Sequence, residues 1–540
     1  MPAYNETSKG TVVCVPIDAH GHVNAMLSLA GELKSLGYRT IFVTNTVKTP
    51  KMFDHELVLL EDDDTENQVV NNEQDAFLKA KLFDQECDGE YLDFNLELAG
   101  KGALDDATKI AHMHNFGFWK TFLDKIQDSD VNLERILIKL KPDLVLVEHI
   151  PARPAIWRLA QDSYARKVAG WSRGLRWVPL ASLAPLSLYY FADMMHGLSS
   201  EQLVPNPWFG LPTRRKLDIS EYRAHSECFK EVLIKSGYAH RFKSLARLIS
   251  TKNPDTVELI DAKFVEVFLN QSQWLNVFMF PRELSYETDF ESKLDKTKWI
   301  QADSLVRPTS TSSRSLDQSS EMLLSRLESW QKSKSGPQCK VIYVSMGTVV
   351  SMDLDVMRRV MQQVFKCLEE QPDWYFAVSL GMKHSEVEAR FKEEIIHWQE
   401  KESRLIANGW WPQPEIFRRQ LADVCVVHGG NNTTCEIFDY STPPPALVVL
   451  PAISDQLDNA RRIEELGYGV TLSAGRLLRS NSDTLLLSAV QKSLKLHGSK
   501  KQMINSNGPR RDARYCAKII AAKLEQELSS CTQNDSVITV

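Results

Sequence analysis

Residues 422–460 read "ADVCVVHGGNNTTCEIFDYSTPPPALVVLPAISDQLDNA", and their order decides the fold. An apolar, β-branched run ends at His428, as in a strand buried on both faces of a parallel sheet. Gly429 and Gly430 allow a tight turn in which backbone approaches a ligand closely. Asn431, Asn432, Thr433 and Thr434 then open a helix, and "PALVVLPA" (445–452) supplies the next strand before Asp455 and Gln456. Strand, helix and strand in this order make a βαβ unit, whose crossover lays helices over a parallel sheet.

The same alternation continues outward. "KVIYVSMG" (340–347) and "WYFAVSLG" (374–381) are strands, and Val356, Met357, Val360, Met361, Val364, Phe365 and Leu368 between them form an amphipathic helix stripe. Far upstream, "TVVCVPI" (11–17) is followed by a helix with Met26, Leu27, Leu29, Leu33 and Leu36 on one face and Gly37 as its stop. "RTIFVTN" (39–45) and "PDLVLVE" (142–148) are further strands. Between these regions, "LVRPTSTSSRSLDQSS" (305–320) is rich in Ser, Thr and Pro and is expected to be a linker. The expected fold is α/β, with two doubly wound parallel-sheet halves: residues 1–300, a connection over 301–330, and residues 331–508. A cleft between such lobes is the natural reaction site.

Composition narrows the chemistry. With 43% hydrophobic and 25% charged residues, the 540-residue chain resembles a soluble globular protein of more than one domain. A net charge of −6 without a basic run argues against a nucleic-acid groove. The nine cysteines are scattered and include no CxxC, which fits buried thiols in a reducing, cytoplasmic setting. No apolar run is long enough for a membrane span. The nearest, "WVPLASLAPLSLYYFA" (177–192), is broken by Pro179 and Pro185 and is expected to be a buried segment or pocket wall, with a membrane-touching loop as the other reading.

The turn after His428 offers free N–H groups at the positive end of a helix dipole, a seat for a phosphate or pyrophosphate. Glu436 stands one turn further on, where a carboxylate can take ribose hydroxyls, and Asp455 with Gln456 can do the same for a sugar. Upstream, Trp410 or Trp411 offers a face for a base, near Gln413. Each feature has a plainer reading as a helix cap, a turn glycine or a core ring. Together, at successive strand ends, they fit a nucleotide-sugar site.

The pattern W-x-P-Q, H-G-G-x-N-x-x-x-E and P-x-x-x-D-Q-x-x-N in residues 410–459 resembles the donor signature of family 1 glycosyltransferases, nucleotide-diphosphate-sugar enzymes of GT-B fold. "YVSMGT" (343–348) is similar to that family's glycine-plus-hydroxyl turn, with Gly347 and Thr348 as a phosphate contact. The resemblance implies that Trp410 stacks on uracil and Gln413 contacts the uridine. It places His428, Asn432 and Thr433 on the diphosphate, with Gly430 and Asn431 in the same turn. Glu436 would hold the ribose, and Asp455 with Gln456 the hexose, glucose being the first expectation. "HGGNN" departs from the plant form H-C-G-W-N-S, with Asn431 where plants carry Trp. The resemblance also implies a helix within 509–540 that packs back on the first lobe.

On the acceptor side, "PIDAHGHVNAML" (16–27) is similar to the P-x-x-x-x-G-H turn of the family, which makes His22 the general base. A helix start disfavours the imidazolium, and a base must be neutral, so position and role agree. The family places an aspartate behind this histidine at the end of a first-lobe strand. Here the matching residue is Glu148, with His149 and Asp143 as weaker substitutes. The implied reaction is inverting transfer of a hexose from a UDP-sugar to a hydroxyl of a small lipophilic acceptor, by a monomer that needs no metal or other cofactor. His20 and His22 as metal ligands lack a third ligand, and "EDDD" (61–64) and "DLD" (353–355) have ordinary loop and capping readings. Two other readings stay open: a UDP-sugar epimerase-type enzyme of the same fold, or a UDP-sugar-binding protein without catalysis.

Overall fold

A computed structural model describes residues 8–16, 20–44, 54–59, 130–149, 153–181, 272–285, 297–305, 316–351, 354–452, 455–472, 477, 482, 484–499 and 509–535. Two parallel sheets organise them. The first has seven strands: β1 (Thr11–Val15), β2 (Arg39–Thr44), β3 (Glu56–Leu59), β4 (Leu144–Glu148), β5 (Trp177–Ala181), β6 (Asn276–Met279) and β7 (Trp299–Ala302), in the order β3-β2-β1-β4-β5-β6-β7. The second has six: β8 (Lys340–Ser345), β9 (Trp374–Ser379), β10 (Leu405–Asn408), β11 (Val424–Val427), β12 (Ala446–Val449) and β13 (Gly469–Thr471), ordered β10-β9-β8-β11-β12-β13.

In both sheets the chain first winds to one side and then restarts on the other. The reversal lies between β1 and β4 in one lobe and between β8 and β11 in the other. Such a switch point opens a crevice at the carboxyl ends of the strands, because the flanking connections leave to opposite faces. Strand chemistry explains the cores: β4 is buried at every position, and so are β11 and β12. The helix Leu354–Glu370 buries the expected stripe, with Cys367 and Gln363 beside it.

Two expectations meet the structure in altered form. The 177–192 segment begins as β5, wholly buried, with Pro179 opposite Val147 of β4; residues 182–192 lie outside the described residues. The expected 301–330 connection contains the end of β7 and most of the helix Gln318–Ser333. That helix is capped by Asp317, which accepts the Ser320 N–H at 2.7 Å, and it buries Leu324, Leu327 and Trp330. Arg419 ties it to the second lobe through Glu321 and Glu328.

The helix Ala513–Asp535 returns to the first lobe. Cys516, Ala517, Ile520 and Leu524 share a core with Val23, Met26, Leu27 and Ala30 of the helix His20–Ser35. Glu527 accepts from Arg176 and from the Trp274 indole, each at 2.6 Å. The lobes also meet directly: Arg462, fully buried and paired with Asp458 at 2.9 Å, donates to the Leu284 carbonyl at 3.0 Å. Among the described residues, no helix is long and apolar enough to cross a membrane.

Candidate functional site

The second-lobe crevice is built around one imidazole. β8 ends at Ser345, and Gly347 turns the chain with φ +66°. A Cβ on Gly347 would lie 2.4 Å from the His428 ring, and a Cβ on Gly430 would lie 2.4 Å from its Nε2. Only hydrogen fits at either place, so two backbones bracket the ring from opposite sides of the switch point. Burial pulls His428 down to about 4, against an opposing pull from the Ser345 backbone, and no group completes a hydrogen bond to its Nδ1. At neutral pH the ring is therefore uncharged and carries one N–H.

Gly430 then starts the helix Asn431–Tyr440 without a side-chain cap of its own. A carboxylate from the next turn takes part of that place: Asp455 accepts the Asn431 N–H and the Asn459 Nδ2, both at 3.1 Å. Asn459 also donates to the Gly429 carbonyl at 2.8 Å, so the third polar residue of D-Q-x-x-N locks the turn. Asn431 itself reaches across to the first lobe, donating from Nδ2 to the Met279 carbonyl at 2.8 Å. It is a tie between lobes as well as a helix-start residue. Asn432 keeps a buried Oδ1 with no partner.

A polar relay lies beside this helix. The Tyr343 hydroxyl donates to Gln413 Oε1 at 3.1 Å, and Gln413 Nε2 donates to Glu436 at 2.6 Å and to Thr433 Oγ1 at 3.3 Å. Burial pushes Glu436 up to about 7; the Gln413 hydrogen bond opposes that rise, and the nearby Asp439 adds to it. Gln413, Thr433 and Glu436, each assigned to a different part of the donor by the resemblance, are thus hydrogen-bonded to one another. Tyr343 was not singled out, although it stands in the "YVSMGT" strand.

Other expected positions differ. Trp410 is 49% exposed and offers a free face, whereas Trp411 is 7% exposed and donates its indole N–H to the Val378 carbonyl at 3.1 Å. Trp411 packs edge-on to Tyr343, so it is a core ring and not a stacking surface. Gln456 is buried, and its Oε1 accepts the Ala452 N–H at 2.9 Å, which fixes the turn that carries Asp455. Thr348 lies in the short helix Gly347–Val350; its side chain is outside what the structure describes.

In the first lobe the helix begins at His20, so His22 falls in its first turn beside the β1–β4 switch point. The side chains of His20 and His22 are outside what the structure describes. Glu148 ends β4 and is buried, with Oε1 2.9 Å from Nδ1 of His149. His149 Nδ1 also lies 3.1 Å from the Leu180 carbonyl, while its Nε2 is buried with no partner. Asp143 is engaged elsewhere, accepting the Thr11 N–H at 2.8 Å at the opposite end of the strands. Among the described residues, no group of three His, Cys, Asp or Glu could hold a metal ion.

Comparison with known proteins bears on the second lobe most directly. The family model described as "UDP-glucoronosyl and UDP-glucosyl transferase" matches residues 324–505. A putative UDP-glucuronosyltransferase of Caenorhabditis elegans, ugt-50, is 27% identical over 140 residues, 26% of this chain and 24% of its own. An uncharacterized UDP-glucosyltransferase of Bacillus subtilis (strain 168), YojK, is 31% identical over 153 residues, 28% of this chain and 32% of its own. The chain thus spans about a quarter to a third of the length of these relatives. Among solved structures, the glycotransferase of kitacinnamycin superposes with TM-score 0.51 at 16% identity, covering 95% of this chain and 99% of that one. The two lobes have the GT-B fold.

Proposed function

We propose that this chain, whose second lobe matches the UDP-glucuronosyl and UDP-glucosyl transferase family model over residues 324–505, transfers a hexose from a UDP-sugar to a hydroxyl of a small lipophilic acceptor, with inversion. The observation that carries the reading is the second-lobe switch point, where a helix start with no side-chain cap of its own, a neutral imidazole and the Gln413–Glu436 pair converge. Trp410 stacks on the uracil, Gln413 contacts the uridine, and Glu436 accepts the ribose hydroxyls. The N–H groups of Asn432 and Thr433, with His428 and Thr348, hold the diphosphate. Asp455 takes hexose hydroxyls from the turn that Gln456 fixes. A carboxylate there favours a neutral hexose such as glucose, since a glucuronate would set two like charges together.

His22 removes the acceptor proton as the oxygen attacks the anomeric carbon. The bond to the diphosphate breaks on the opposite face, and UDP leaves with the electron pair. Glu148 stabilises the imidazolium that forms. Helix-start N–H groups oppose the charge that grows on the diphosphate, so this route requires no metal. A cytoplasmic setting is supported by Cys14, Cys339, Cys367, Cys425, Cys435 and Cys516, all free buried thiols.

The test is UDP release from UDP-glucose across a panel of phenols and alcohols, with and without acceptor. His22→Ala is expected to lower kcat/KM by about 10²–10⁴, the usual span for losing a general base, while UDP still binds. Normal turnover in His22→Ala would remove the base assignment.

A further inference from the structure

Resting on the reading of Glu148 as the carboxylate behind His22, we propose that His149 is the positioning residue that holds Glu148 in place. The two side chains are each 3% exposed, and the contact between His149 Nδ1 and Glu148 Oε1 is 2.9 Å. Nδ1 also lies 3.1 Å from the Leu180 carbonyl. A backbone carbonyl only accepts hydrogen bonds, as does an ionised carboxylate. Nδ1 therefore carries the proton and shares it between the two oxygens.

The anchor for this arrangement is the sheet itself. Leu180 belongs to β5 and stands opposite Glu148 in the strand register. Its carbonyl accepts the backbone N–H of His149 at 3.2 Å as well as the ring N–H. One β5 oxygen thus fixes both the backbone and the ring of His149, and the ring fixes one oxygen of Glu148. The carboxylate is tied to a strand at the switch point and not to a loop.

The remaining nitrogen supports this role. Nδ1 makes both contacts of the ring, and Nε2 is buried without a partner. A buried polar atom without a partner disfavours the folded state, so a ring serving only to fill space would be better replaced by an apolar side chain. What the imidazole supplies here is its Nδ1–H. Glutamate also needs such a tether more than aspartate does, because its extra methylene adds a torsion that must be frozen.

Three variants test the proposal through kcat, donor KM and UDP affinity. His149→Leu removes the donor and is expected to lower kcat by about tenfold to a hundredfold, a part of what a general base contributes, with donor KM unchanged. His149→Asn keeps an N–H near the place of Nδ1 and is expected to recover most of that loss. In a Glu148→Asp background, His149→Leu is expected to cost less than in the native chain. Wild-type kcat in His149→Leu would overturn the proposal. So would His149→Asn as slow as His149→Leu while UDP binds normally, since only Nε2 is missing there. A ¹⁵N imidazole spectrum of the unliganded protein reads the tether without turnover: an Nδ1-protonated His149 that shifts in Glu148→Gln is expected, and an Nε2-protonated ring would overturn it. If the native protein releases no UDP with any acceptor, the transfer reading fails, and the spectrum still decides the tether.

Discussion

Both lobes place a histidine directly after the strand on the far side of the switch point, His149 after β4 and His428 after β11. Their surroundings are opposite. His149 has its Nδ1 between a carboxylate and a carbonyl and leaves Nε2 bare. His428 stands between two glycine backbones, leaves Nδ1 bare, and is held neutral by burial. The same residue at the same place in one architecture is thus given two chemistries. Beside an acid it can fix or share a proton; among backbone groups it is a neutral donor that need not change charge when an anion leaves.

The sharpest way to break this contrast is to add a methyl group against His428. In Gly430→Ala or Gly347→Ala the new Cβ would sit 2.4 Å from the ring, and at Gly347 the positive φ adds strain. Overpacking of this kind costs about 1–3 kcal/mol. UDP affinity is expected to fall by about fivefold to a hundredfold, with a lower melting temperature. Calorimetric titration with UDP checks the first effect. Unchanged affinity in both variants would separate the bracketed ring from the diphosphate.

A second comparison lies within the second lobe and uses Glu436. Its carboxyl group, raised to about 7, must be ionised to accept ribose hydroxyls well. Uridine lacks phosphates, so its affinity reports this group without interference from phosphate titration. Between pH 6 and pH 8 the ionised fraction rises from about a tenth to about nine-tenths, so uridine is expected to bind up to about tenfold more tightly at the higher pH. Glu436→Gln is expected to flatten the profile. A flat profile in the native protein would remove Glu436 from the ribose.

How much of this was legible in the sequence depends on range. The strand–turn–helix at His428 was legible because strand, glycines and helix opening are contiguous, whereas the Gln413–Glu436 hydrogen bond joins two residues 23 apart that the motif names only one by one. Trp410 and Trp411 are neighbours, and nothing local says which ring turns outward; the Val378 carbonyl, 33 residues away, decides it. β5 was hidden by Pro179, a residue that normally argues against an interior strand. The Glu148–His149 contact was hidden for a different reason. Adjacent residues in a strand point to opposite faces, yet just past the end of β4 the His149 ring lies 2.9 Å from Glu148. The place of Asp455 on the Asn431 N–H is a contact between two turns that no spacing rule contains.

The smallest expected effect is on stability against pH, and it isolates His428. Its value in the folded protein, about 4, lies below the ordinary 6.5, so the folded state holds fewer protons than the unfolded one between those limits. Stability from this group is therefore complete above about pH 6.5 and is lost as pH falls toward 4. Glu436 has the opposite sign: raised from 4.5 to about 7, it favours the folded state at low pH and loses that contribution as pH rises through this range. The two slopes partly cancel in the native protein, so a single melting curve would hide both. Replacing His428 with Gln removes one slope and leaves the other. The difference in melting temperature, His428→Gln minus native, is expected to move in favour of the variant as pH falls from 7 to 4.5. A difference that stays constant across that range would mean the ring does not titrate out of reach of solvent, and the contrast with His149 would then rest on the glycine contacts alone.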